Sequence, residues 1–161
     1  MKMSTPVKLL AFAGVIVIAY SSAWMKAHTL SEKYYAYAEE QYSQGHFISA
    51  LKGMNKLELR IEDDYLGGYQ QVLDTWRHST LGPRPQAYYQ SLEKPKQIIE
   101  QLSQEQLIEF IEIYVQLDSR YVPTAADQVR FLAKQSGDID LYLEMTEFLK
   151  EAFPRYKQRE L

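Results

Sequence analysis

Hydrophobic residues recur every three or four positions along most of the chain after residue 30, and they nowhere alternate long enough to make a strand. This spacing puts apolar side chains on one face of an α-helix. The pattern predicts helices with approximate limits 30–43, 46–61, 65–78, 86–101, 104–119, 124–136 and 139–152. The fold class is therefore predicted to be all-α.

Helix start and stop signals support these limits. Ser103 with Gln106 and Thr124 with Asp127 have the spacing of capping boxes. Further boundaries are expected at Gly45, at Pro95 (a break after Glu93), at Gly137 with Asp138, and before Pro154. The run Glu62-Asp63-Asp64 is predicted to cap the third helix, and the 104–119 helix is predicted to be the most buried element.

The N-terminus follows a different pattern. Residues 9–25, "LLAFAGVIVIAYSSAWM", form an uncharged and mostly apolar run of 17, preceded by Lys2 and Lys8. Trp24 and Lys26 supply an interfacial aromatic and a cation at its end. A helical pattern continues past them, so we favour a retained transmembrane anchor. A signal peptide cleaved near Ser21-Ser22-Ala23 is the alternative, and a buried core helix is less favoured.

Charge sets the expected topology and excludes one class of partner. The first 30 residues contain three lysines and no acid, so residues 31–161 carry 15 basic and 21 acidic groups. The lysines favour residues 1–8 in the cytoplasm and residues 30–161 in the periplasm of a bacterium, with one span in the inner membrane. An acidic body argues against nucleic acid as a partner.

Two stretches are similar to each other. "EKYYAYAEEQYSQGHFISALKGMNKLEL" and "ADQVRFLAKQSGDIDLYLEMTEFLKEAFP" both run helix, glycine-containing turn, helix. With Ala38, Gly45 and Ala50 in the first stretch and Gly137 and Pro154 in the second, the chain resembles the tetratricopeptide repeat. The resemblance implies an antiparallel array of helical hairpins over residues 30–154. Separately, the charged run at residues 155–161 is predicted to be a frayed tail.

The same resemblance implies a partner-binding groove on the first helix of each hairpin. Its positions fall on Tyr35, Glu39, Tyr42, Asp127, Phe131 and Lys134. Aromatic residues interleaved with charges suit the binding of a peptide segment. The alternative is that the tyrosines are ordinary packing residues.

Three glycines are interpreted as a site of close helix crossing. Gly53 lies in the second predicted helix, and Gly67 and Gly68 lie near the middle of the third. Each interior glycine costs a helix about 1 kcal/mol relative to alanine, so a close neighbour would explain the pair. A turn at 67–68 that splits the helix is the alternative.

The sequence offers no chemistry for catalysis. His28, His46 and His78 are scattered without metal-ligand spacing, and there is no cysteine, phosphate loop or dinucleotide motif. We therefore expect that the chain is not an enzyme and that it binds no cofactor and no metal. The chain is predicted to be a membrane-anchored periplasmic adaptor, assembly factor or accessory subunit of an envelope complex that binds protein partners. The alternative is a structural subunit whose span packs inside a respiratory, photosynthetic or secretion complex.

Overall fold

The computed structural model describes residues 5–55 and 64–160, and all regular secondary structure in these residues is helical. The helices are α1 (Thr5–Ser43), α2 (Phe47–Lys52), α3 (Tyr69–Arg77), α4 (Gln86–Ser91), α5 (Lys94–Gln101), α6 (Gln104–Leu117), α7 (Val122–Ser136) and α8 (Ile139–Ala152). A 3-10 turn at Ser119–Tyr121 connects α6 to α7. The prediction of an all-α fold is confirmed for the described residues.

Helix α1 is one continuous helix of 39 residues whose two halves have different surroundings. In the N-terminal half, Leu10 and Ile18 are 73% and 68% exposed, whereas Ser31 and Ala38 further along are fully buried. Among the described residues, α1 is the one helix long and apolar enough to cross a membrane, with a mean hydropathy of 1.7 over its best 18 residues. By length and composition, this half suits an anchor or a signal sequence.

The hydrophobic core lies between the C-terminal half of α1 and the helices that follow it. Helix α1 packs against α2, α3 and α4, while α7 packs against α5, α6 and α8. The largest fully buried apolar side chains are Leu51, Tyr69, Val72, Trp76, Ile98, Ile99, Leu107, Phe110, Val122, Val129 and Leu149. Most helices are short, so this shared burial rather than helix propensity holds them in place.

Several local predictions are confirmed. The backbone N–H of Gln106 donates to Ser103 Oγ at 3.2 Å, and the Gln106 side chain accepts from the Ser103 N–H at 3.0 Å, which completes the capping box of α6. Gly137 ends α7 in the left-handed conformation with φ +78°, and Asp138 caps α8 by accepting from the Leu141 N–H at 3.1 Å.

The second and third predicted helices are wrong in extent. Helix α2 ends at Lys52 because Gly53 has φ +83°, which an α-helix cannot continue. The predicted continuation of this helix through Leu57 to Ile61 lies outside the described residues, as do Glu62 and Asp63 of the predicted cap. Helix α3 begins at Tyr69 rather than Tyr65.

Two predictions about the C-terminal helices are also wrong. Helix α7 begins at Val122 with Pro123 in its first turn, so Thr124 and Asp127 lie inside the helix and do not cap it. Helix α7 is also more buried than α6, with eight buried residues against three. The reason is that α7 is enclosed by helices on several sides, which a single amphipathic pattern does not indicate.

Candidate functional site

The apolar half of α1 contacts a loop of the folded domain that consists of residues 79–83. Tyr20 donates its hydroxyl to the carbonyl of Leu81, and Trp24 Nε1 donates to the carbonyl of Pro83 at 3.1 Å. Gly82 has φ +81°, and a Cβ there would lie 3.3 Å from Trp24 Nε1. The loop therefore lies directly against the last turns of the predicted span.

Trp24 continues this contact into the core. Its ring packs edge-on against Trp76 at 6.1 Å between centroids and lies 5.2 Å from His28. Trp24 was predicted as a membrane-interface residue, and it also makes tertiary contacts that the sequence pattern did not indicate. Lys26, the predicted interfacial cation, is exposed two residues further along α1.

The first half of the predicted groove is an internal cluster around Tyr69 and Lys94. Glu39 Oε1 accepts from the Tyr69 hydroxyl at 2.7 Å and pairs with Lys94 Nζ at 2.9 Å. The rings of Tyr35 and Tyr42 lie edge-on to Tyr69, at 6.1 Å and 6.4 Å. All three groove residues of α1 are half-buried and contact other parts of the chain.

Cation–π contacts add to this cluster. Lys94 Nζ lies 4.4 Å from the Tyr42 ring centroid and 5.1 Å from that of Tyr69. Tyr42 also exchanges hydrogen bonds with the Gln101 side chain. Because Lys94 and Gln101 are the first and last residues of α5, these contacts attach α1 to both ends of that helix. The Glu39–Lys94 ion pair therefore lies between α1 and α5.

The cluster shifts the pKa values of Glu39, Tyr35 and Tyr69. Burial acts to raise the pKa of Glu39, but hydrogen bonds from Lys94 and Tyr69 and the charge of Lys94 outweigh it, so the pKa falls below 4.5. Burial, followed by the hydrogen bond and charge of Glu39, raises the pKa of Tyr35 to about 12, and the same causes raise the pKa of Tyr69. Glu39 is thus held ionised, and Tyr35 and Tyr69 are held neutral.

The second half of the predicted groove is covered by the C-terminal tail. Asp127 is buried, pairs with Arg130 Nη2 at 2.7 Å, and accepts from the backbone N–H of Arg159 at 3.1 Å. The Arg159 guanidinium lies 4.9 Å from the Phe131 ring centroid. Lys134, the third predicted residue, is exposed. The tail therefore contacts α7 through Arg159, and the prediction that it is frayed is wrong for the described residues 155–160.

A cleft of about 290 Å³ lies where this tail meets α5 and α7. Its lining combines charges of both signs, including Lys96, Glu100, Asp127, Lys157 and Arg159. The carboxylate of Asp127 is already engaged by Arg130 and by the tail backbone. The cleft thus offers mixed charge without a single preferred ligand.

Lys52 forms a buried cluster that sequence reasoning missed. Its side chain is 4% exposed, and Nζ lies 3.4 Å from the carboxylate of Asp118 and 3.2 Å from its carbonyl oxygen. The rings of Phe110, Tyr114 and Tyr121 surround the ammonium at 5.5, 4.7 and 5.3 Å. Burial lowers the pKa of Lys52 against the opposing pull of Asp118. Since the partners are 66 positions apart, no local signal could have indicated the pair.

The three predicted crossing glycines lie together, but outside regular helix. Gly67 and Gly68 lie before α3, and Gly68 has an extended backbone. Gln71 Oε1 accepts from the Gly68 N–H at 2.7 Å. A Cβ on Gly53 would lie 2.7 Å from Gly67 Cα, and one on Gly68 would lie 2.7 Å from Gly53 N. The Met54 N–H donates to the Leu66 carbonyl at 2.9 Å. The prediction of a mid-helix position is wrong. Gly53 and Gly67 approach each other outside the helices, and Gly68 lies against the backbone of Ala50 and Leu51 in α2.

Within residues 5–55 and 64–160, no group of three or more His, Asp or Glu side chains converges as a metal site would require. Compared with known proteins, the chain matches no family model, no curated protein and no solved structure.

Proposed function

We propose that this protein is a membrane-anchored helical adaptor, assembly factor or accessory subunit of a bacterial cell-envelope complex, which acts by binding protein partners rather than by catalysis. Residues 9–25 are retained as a single span in the inner membrane. Residues 30–154 stand in the periplasm as a tetratricopeptide-like domain, and the short N-terminus stays in the cytoplasm.

One observation carries the anchor proposal, which is the continuity of α1. The same helix has exposed apolar residues such as Leu10 in its first half and the fully buried Ser31 and Ala38 in its second. Cleavage near Ala23 would cut this helix within a turn of Trp24, whose ring packs against Trp76. Cleavage would also remove Tyr20, which donates a hydrogen bond to Leu81. These contacts favour retention.

Tight helix contacts support a tetratricopeptide-like arrangement in part. Ala38 and Ala50 are fully buried where α1 packs on α2, and Gly137 makes the short turn between α7 and α8. Small residues at such positions let helices approach closely. The six residues of α2 are the main departure, because a hairpin repeat needs a longer second helix.

The proposed partner surface has to differ from the predicted groove, since five of its six residues contact other parts of the chain. Ile139 and Leu143 lie one turn apart on α8 and are 60% and 56% exposed. Exposed apolar side chains rimmed by charge are typical of protein-binding surfaces. Asp140 and Glu144 are exposed next to them on the same helix.

Copurification after mild detergent extraction tests the proposal. The full-length chain with an N-terminal tag is expected to retain specific proteins, and Ile139→Ser with Leu143→Ser is expected to reduce them. The double variant Asp140→Ser and Glu144→Ser is the matched control, because it replaces two exposed residues on the same helix that are also four positions apart. Stoichiometric partners would indicate a subunit, and substoichiometric ones an assembly factor. Recovery of the chain alone would contradict the proposal.

A further inference from the structure

The 79–83 loop lies beside the predicted span and not beyond its end. It contacts α1 at Tyr20 and Trp24, both within residues 9–25. Since a helix rises 1.5 Å per residue, Tyr20 lies about 7 Å before Met25 along the helix axis. A span that ends at Met25 therefore carries the loop with it to the level of the membrane surface.

The loop combines one exposed large apolar side chain with an absence of charge. Leu81 is 64% exposed. The next two residues, Gly82 and Pro83, are also exposed and carry no charge. Together with Tyr20, Trp24 and Met25, Gly82 and Pro83 line a mostly apolar recess of about 230 Å³. An exposed apolar side chain gains free energy when it moves from water to the boundary between the lipid headgroups and acyl chains.

Two backbone carbonyls of the loop accept hydrogen bonds from side chains. The Leu81 carbonyl accepts from the hydroxyls of Tyr20 and Ser79, and the Pro83 carbonyl accepts from Trp24 Nε1. Pro83 has no backbone N–H to satisfy. Backbone groups near hydrocarbon need such partners because water is scarce there. Tyr and Trp are also the residues that concentrate at membrane interfaces.

Charge around the loop fits an anionic lipid surface. No acidic residue occurs between Asp74 and Glu93, whereas Arg77 and Arg84 flank the loop. Arg77 is exposed, and the Arg84 guanidinium stacks over Tyr88 at 4.6 Å. Basic residues beside an apolar tip are attracted to anionic headgroups.

We propose that the 79–83 loop is a second membrane contact, with Leu81 inserted among the lipid headgroups beside α1. This inference rests on the proposed membrane anchor. Together, α1 and the loop fix the orientation of the domain on the bilayer, because two separated contacts prevent rotation about the helix axis.

The natural absence of cysteine allows a direct test with single nitroxide labels. Val17→Cys, Leu81→Cys and Leu143→Cys replace side chains of similar exposure, at 63%, 64% and 56%. Each labelled full-length protein is reconstituted into vesicles of phosphatidylethanolamine and phosphatidylglycerol. Collision with oxygen and with a water-soluble nickel chelate is then measured by power-saturation EPR.

The Val17 label is expected to collide mainly with oxygen and the Leu143 label mainly with nickel. The Leu81 label is expected to show an oxygen-to-nickel ratio several-fold above that of Leu143. A Leu81 ratio equal to that of Leu143, with Val17 protected from nickel, would overturn the loop proposal while leaving the anchor intact. A nickel-accessible Val17 label would overturn the anchor, and the loop proposal with it.

Discussion

The indole N–H of Trp76 donates to the hydroxyl of Ser31 at 2.6 Å, and both side chains are buried. The Ser31 hydroxyl donates in turn to the Ala27 carbonyl at 2.8 Å. This chain of hydrogen bonds joins α3 to α1 about two helical turns after Trp24. It adds a buried contact to those that Tyr20 and Trp24 make with the 79–83 loop.

Removal of this hydroxyl is expected to destabilise the domain. Ser31→Ala leaves the buried indole N–H without an acceptor, which costs about 1–3 kcal/mol of unfolding free energy. Ser43→Ala is the control, because Ser43 is an exposed serine on the same helix. Denaturant unfolding of the full-length chain in mild detergent measures both. Equal, small losses in the two variants would contradict the role assigned to Ser31.

The glycine contact makes a prediction with an internal control. Gly45 and Gly53 have nearly the same φ, +79° and +83°, but a Cβ on Gly45 meets nothing within 4 Å, whereas one on Gly53 meets backbone at 2.7 Å. Gly45→Ala should cost about 1 kcal/mol, because only the strained φ is involved. Gly53→Ala adds the clash with Gly67, typically a further 1–3 kcal/mol.

Gly68→Ala separates the two causes, because Gly68 has a negative φ of −93° and its added Cβ would clash with the backbone of residues 50–53. We expect it to destabilise through the clash alone. If Gly53→Ala and Gly45→Ala cost the same and Gly68→Ala costs nothing, the backbones at this site are not in contact.

The acid side of the stability profile should depend on Glu39. Its pKa in the folded chain lies below the ordinary 4.5 because Lys94 and Tyr69 outweigh the effect of burial. A depressed carboxyl pKa stabilises the fold above the unfolded value, and this contribution is lost as the pH falls below about 4.5 through the folded pKa. The effect is moderate, because the Glu39 side chain is 39% exposed and solvent screens it.

Glu39→Gln is therefore expected to lower stability at pH 7 and to reduce its decline between pH 5 and pH 3. Thermal unfolding in detergent at these pH values measures the difference. Part of the decline in stability should remain in the variant because of Asp118. Burial acts to raise the pKa of Asp118, but Gln70 and Lys52 outweigh it, so this pKa is also lowered. An unchanged profile would mean that the Glu39–Lys94 pair does not form.

The two ends of the predicted groove on α7 should respond differently to substitution. Asp127→Ala leaves Arg130, with a 5% exposed side chain, without its carboxylate partner, at a cost of about 3–5 kcal/mol. Lys134→Ala, on the exposed side of the same helix, is expected to change stability by less than about 0.5 kcal/mol. Thermal melts of both variants test this, and similar melting temperatures would contradict the buried pair.

The sequence predicted the features that depend on neighbouring residues. The Ser103–Gln106 cap, the Gly137 stop and the Asp138 cap all involve groups within four positions of one another, so spacing alone identified them. The extent of α2 failed for a related reason. The apolar period continued through Leu57, while α2 ends at Gly53, whose φ of +83° the apolar period does not indicate.

The candidate sites depended on still longer connections. Lys52 pairs with Asp118, which lies far from it in the sequence. Arg159 bonds to Asp127, although the charge of the C-terminal tail suggested that the tail would be frayed. The groove positions taken from the repeat resemblance named residues that cluster, such as Glu39 and Tyr42, but gave no indication that α3 and α5 cover them. Periodicity identifies a helix face, and only the packed chain determines what lies against it.

The central claim is that α1 stays intact as a membrane anchor, and the intact mass of the mature protein tests it most directly. The chain is extracted from washed membranes in mild detergent and its mass is measured without proteolysis. The account predicts a mass that includes residues 9–25 in full. A mature chain that begins near Trp24, recovered without the apolar segment, would contradict it.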